Sequence, residues 1–94
     1  MGYINLNKKS FFHNANYYTK LLGSKDKIWI ALKDNAYGHG IEQMAELSQE
    51  YGIKHIMVRN INEANRTAKY GFESILILYE LPKEKCPENY IFSI

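Results

Sequence analysis

Apolar positions along this chain repeat with two periods, and the two alternate. Residues 3–7, Tyr3-Ile4-Asn5-Leu6-Asn7, switch between apolar and polar with period two and predict a short strand. From Ser10 the period lengthens: Phe11, Phe12, Ala15, Tyr18, Leu21 and Leu22 recur every three or four residues, and Gly23 stands where such a helix stops. Residues 28–33 return to a strand, apolar throughout until Lys33. A second helix follows, with Ile41, Met44, Ala45, Leu47 and Ser48 as its buried side, Tyr51 closing it and Gly52 ending it. Residues 53–58 form the next strand. Asn60, with Glu63 three residues later, then reads as a helix N-cap with a reciprocating glutamate, opening a helix through Ala64, Ala68 and Tyr70 that stops at Gly71. Residues 74–78 are a run of branched aliphatics typical of a buried strand, 81–89, with Pro82 and Pro87, a loop or a short irregular helix, and 90–94 the start of a further strand.

Strand and helix alternate about three times before a fourth strand and the start of a fifth, an order that implies a parallel sheet joined by right-handed crossovers, so the predicted class is α/β. Within residues 28–33 the side chains of Trp29, Ala31 and Lys33 share one face, and those of Ile28, Ile30 and Leu32 the other. Both faces are apolar apart from the lysine, which predicts a parallel strand covered on both sides. Small Ala31, two positions before Lys33, leaves room for a planar ligand.

Composition narrows the possibilities without changing that picture. Apolar residues make up 46% of the 94 and charged residues 23%, so residues 1–94 read as one small globular domain. The net charge of +2 is spread without a basic run, which argues against nucleic acid as a partner. No long apolar run suggests a membrane span. Cys86 is the one cysteine, so no internal disulfide forms and a reducing, cytoplasmic compartment is expected. His13 and His39 have no second ligand at metal-binding spacing, so no metal site is predicted.

The candidate chemistry lies at the end of the second strand. A lysine terminating an apolar run can be partly desolvated, which lowers its pKa and makes its amine a usable nucleophile or Schiff-base former. The plainer reading of such a lysine is a solvated strand cap. The next residues weigh on that choice: Lys33-Asp34-Asn35-Ala36-Tyr37-Gly38-His39-Gly40 resembles the lysine signature of alanine racemases, K-A-x-A-Y-G-H-G, at six of its seven specified positions, Asp34 being the departure. His13-Asn14 also resembles the first segment of that family.

The resemblance covers nearly the whole chain and implies the N-terminal half of a TIM-type (β/α)8 barrel, truncated, since a complete barrel takes about 250 residues. It implies that Lys33 holds pyridoxal 5′-phosphate as an internal aldimine and is the catalytic residue. It implies that Tyr37 reaches the cofactor phosphate and that Leu78 forms part of the wall near the ring. The implied reaction is interconversion of L- and D-alanine for peptidoglycan synthesis by a homodimer, whose partner subunit supplies a tyrosine for the opposite face of the substrate. A racemase for another amino acid such as serine or lysine, a non-catalytic cofactor-binding or regulatory module, and a small α/β domain with Lys33 as a surface charge stay open at this stage. The Tyr-Gly-His-Gly tail of the motif favours the racemase.

Overall fold

A computed structural model describes residues 2–32 and 40–93, with side chains from Lys8 onward. In chain order the elements are α1 (Gly2–Leu22), β1 (Trp29–Ala31), α2 (Gly40–Tyr51), β2 (His55–Val58), α3 (Ile61–Thr67), β3 (Ser74–Ile77) and β4 (Tyr90–Phe92), with 3-10 turns at Lys25–Lys27 and Ala68–Tyr70. The strands form one sheet in the order β1-β2-β3-β4, every pair parallel. Parallel strands that are neighbours in sequence as well as in space, each reached through a crossover, make up an arc of a singly wound α/β barrel.

Register sorts the strand residues onto two faces. Ile30, Ile56 and Ile75 fall in line, as do Val58 and Ile77. Those at Ile56, Ile75, Val58 and Ile77 are at most 1% exposed, because α2 and α3 cover this side through Ile41, Ala45 and Ala64. The other face carries Trp29 and His55, then Ala31, Met57, Leu76 and Ile91. Here Trp29 stacks on His55 at 4.7 Å between ring centres, yet Trp29 remains 39% exposed and Ile91 42% exposed. The expectation that the strand ending near Lys33 is covered on both sides therefore holds for one side only, since no layer among the described residues lies over the Trp29 face. Ile77, on the inner strand β3, is fully buried under the helices.

The expected strand at 3–7 is corrected by the structure: this backbone belongs to the first turns of α1. A five-residue alternating run completes its hydrogen bonds only beside another strand, whereas a helix completes them within the segment. The helix end is as expected, with Gly23 at φ +90° and its N–H donating to the Thr19 carbonyl. Among the described side chains of α1, one stripe is packed. Phe11 and Phe12 meet the Tyr51 ring at 6.5 and 5.6 Å, and the Tyr51 hydroxyl lies 2.8 Å from both Asn16 Oδ1 and Thr19 Oγ1. Tyr18 and Leu21, on the same repeat, are more than half exposed.

Candidate functional site at the strand C-termini

The four strands all end at one rim. Past β1 the ladder runs one residue further, Leu32 N–H donating to the Met57 carbonyl at 2.9 Å; past β3, Leu78 and Tyr79 donate to Val58 and Arg59 at 3.0 Å. These bonds align the ends of three strands around a recess of about 280 Å³ lined by Ala31, Leu32, Met57, Val58, Arg59, Leu78 and Tyr79. Its floor is aliphatic, and its only charged wall among these residues is Arg59. Ligands of parallel α/β folds bind at this end because loops there can vary while the strands hold them rigidly.

Leu78, which the resemblance implies is part of a wall near the cofactor ring, is one of the residues lining this recess. Lys33 and Tyr37 lie outside the described residues, as does Asp34; Leu32, a wall of the recess, is bonded directly to Lys33. An apolar recess with a small residue, Ala31, on its floor suits a planar aromatic ring, and the walls at Leu32 and Leu78 would exclude water from its faces.

Arg59 and the residues that hold it are not apparent from the sequence pattern. Asn60 caps α3 as expected, its Oδ1 accepting from Glu63 N–H at 2.9 Å. The Glu63 carboxylate reaches one residue beyond the expected reciprocal contact. Its Oε1 accepts from the backbone N–H of Arg59 at 2.8 Å, and its Oε2 accepts from Arg59 Nε and Nη2 at 3.0 and 2.6 Å. Glu63 is 2% exposed, so a buried carboxylate is wholly committed to fixing the residue after β2. Glu80, from the loop after β3, accepts from Ile61 N–H at 2.7 Å and ties that loop to the start of α3. The available signal in the sequence was positional: Arg59 follows its strand as Lys33 follows its own.

The first turn of α2 is tied to α3. Arg66 of α3 donates from Nε and Nη2 to the two carboxylate oxygens of Glu42 at 2.8 and 2.7 Å, and this guanidinium, with Glu42's own backbone N–H, holds the Glu42 carboxyl down to about 2. Gly40 opens α2 at φ +80°, a left-handed conformation that favours glycine at the last motif position. Among the described residues no three His, Cys, Asp or Glu side chains are grouped to hold a metal ion, and no helix is long and apolar enough to cross a membrane.

Comparison with known proteins gives one consistent result. The family described as "Alanine racemase, N-terminal domain" matches residues 6–90. An alanine racemase of Campylobacter curvus is 38% identical over the whole chain, which spans 28% of that relative. One from Nitratiruptor sp. is 45% identical over 83 residues, 88% of this chain and 25% of the relative. One from Campylobacter jejuni is 31% identical over the whole chain, again 28% of the relative. The chain therefore spans about a quarter of the length of the curated relatives it matches. No solved structure gives a significant match.

Proposed function

Because the chain belongs to the alanine racemase N-terminal domain family, we propose that it is the portion of a pyridoxal-phosphate-dependent alanine racemase that carries the cofactor lysine, Lys33. The observation that supports this most directly is the apolar recess at the strand C-termini, one of whose walls, Leu32, is bonded to that lysine.

Pyridoxal phosphate, when bound, supplies an electron sink that acidifies the α-proton of an amino acid. The residues of this chain do the rest of what falls to it. The Lys33 ε-amine would hold the cofactor and take up or return the α-proton on one face of the substrate. The Tyr37 hydroxyl would hold the cofactor phosphate. Leu78 and Leu32 would form the apolar wall beside the ring, keeping water from the reacting carbon and strengthening charge interactions inside. A tyrosine of a partner subunit serves the opposite face, so the working unit is a homodimer, acting in the cytoplasm on L- and D-alanine.

The test is Lys33→Ala in the whole protein. Loss of the amine should abolish both the visible absorbance of the bound cofactor and alanine racemisation. A variant that racemised at the wild-type rate would assign the work to another residue.

A further inference from the structure

The three crossovers of the sheet are not alike. α2 carries the chain from β1 to β2 and α3 carries it from β2 to β3, but residues 78–89, which lead from β3 to β4, contain no helix. A helix in that place would pack beside α3 on the covered side of the sheet. Without one, a cavity of about 390 Å³ opens between α3 and the connection, with Asn62 and Asn65 on one side, Lys83 and Glu84 on the other and the buried Tyr90 of β4 at its base. It shares no lining residue with the recess at the strand C-termini.

Hydrogen bonds hold this cavity open. Glu80 accepts from Ile61 N–H at 2.7 Å at one end, and at the other the Tyr90 hydroxyl donates to Asn65 Oδ1 at 2.6 Å while Asn89 Nδ2 donates to the Phe72 carbonyl at 3.0 Å. Between these ties Pro82 and Pro87 each fix one backbone angle of the connection. A cavity tied at both ends costs little further ordering when a ligand arrives.

The polar groups left over in it carry both signs. Among the described residues, the Lys83 and Lys85 ammoniums have no carboxylate within ion-pair distance, and neither the Asn62 amide nor the Glu84 carboxylate has a hydrogen-bond partner. Asn65, its Oδ1 taken by Tyr90, keeps its Nδ2 donor. A purely anionic ligand would face Glu80 and Glu84, and a purely cationic one the two lysines. A molecule with both charges a few bonds apart meets a partner for each.

We propose that this cavity is a second ligand site of the protein, one that takes a free α-amino acid with an aliphatic side chain. Lys83 and Asn62 receive the carboxylate, Glu84 the ammonium, and Ile61 and Pro87 the side chain. The site does not depend on Lys33.

Leucine, as the L and the D form, is the probe, and Cys86, which also lines the cavity, reports its occupancy. The whole protein, stripped of cofactor so that no amine can attach to it, is alkylated with iodoacetamide and the Cys86 peptide is quantified by mass spectrometry. At least one form of leucine should slow alkylation of Cys86 in a saturable way, and calorimetry should give the same midpoint. 4-Methylpentanoate, which lacks the amine, and leucinol, which lacks the carboxylate, should each bind about tenfold or more weaker, the loss expected for one charged hydrogen bond. Lys83→Ala should weaken leucine by a similar factor and leave leucinol unchanged, whereas Glu84→Gln should weaken leucine and leave 4-methylpentanoate unchanged. Both side chains are exposed and outside the core, so neither change threatens folding. Absence of binding by both forms of leucine would overturn the proposal, as would 4-methylpentanoate binding as tightly as leucine. Leucine heat that persists unchanged in both variants, with no protection of Cys86, would place the binding elsewhere and overturn it equally.

Discussion

At the scale of single residues, charge pairs bind the helices around the site, and each has a pH range in which it acts. Glu42, paired with Arg66, has its carboxyl lowered from 4.5 to about 2, so its contribution is complete above about pH 4.5 and is lost as pH falls toward 2. Glu42→Gln should therefore lower the unfolding midpoint relative to wild type at pH 6. The difference should shrink between pH 4.5 and 2, and thermal melts across that range would show whether it does. Asp26 behaves in the same sense, its carboxyl lowered by the Lys54 ammonium 2.9 Å away. A different order of effect applies to Ile75. It is fully buried between its strand neighbours and the helices, so Ile75→Ala should cost about 3 kcal/mol in urea unfolding, within the range for aliphatic truncations in packed cores.

At the scale of elements, α3 is the piece on which the site depends, although it is only seven residues long. A helix so short is not stable alone and is held by what closes its ends. Asn60 and Glu80 accept from its first N–H groups, and at the other end Thr67 Oγ1 donates back to the Glu63 and Ala64 carbonyls, where the helix tightens into a 3-10 turn and stops at Gly71, φ +77°. Asn60→Ala should destabilise the chain by about 1 kcal/mol, the usual value of an N-cap. Because Glu63 follows Asn60 in the same turn, hydrogen exchange at the Arg59 amide should quicken in this variant more than at Ile56. Equal effects at the two amides would show that the cap acts on the whole fold and not on the turn beside the recess.

At the scale of the molecule, the sheet is finished on one face and open on the other. Trp29 and Ile91 lie on the open face, β1 and β4 are its edge strands, and His55 Nδ1 is buried there without a hydrogen-bond partner among the described residues. Exposed α1 residues Tyr17 and Leu21 add apolar surface elsewhere. The purified 94-residue chain should accordingly associate with itself, and sedimentation velocity at high micromolar concentration should show species larger than 11.0 kDa. It should not racemise alanine, even when self-associated, because the tyrosine that the resemblance implies for the opposite substrate face corresponds to no position within residues 1–94. A stable monomer would refute the first expectation, and measurable racemisation the second.

Much of this was determined by the chain alone. Alternating periods located β2, β3, β4 and all three helix ends at Gly23, Gly52 and Gly71, because burial on one face writes itself into residue spacing and a left-handed terminus requires glycine. The density of the Lys33–Gly40 motif identified the family, because eight consecutive residues form one local unit whose chemistry needs no distant contact to be read. What the tertiary structure decided was everything that depends on which segments meet. Residues 3–7 alternate like a strand but continue α1, since alternation cannot specify whether a neighbouring strand exists. Glu63 reads from the sequence as half of a capping pair, and nothing in the spacing singles out Arg59. Only the packing of α3 beside the ends of β2 and β3 buries the Glu63 carboxylate and pairs it with both the backbone N–H and the guanidinium of Arg59. Periodicity records how much of a side chain is covered, whereas the partner that covers it is set by folding elements far apart in sequence into one rim.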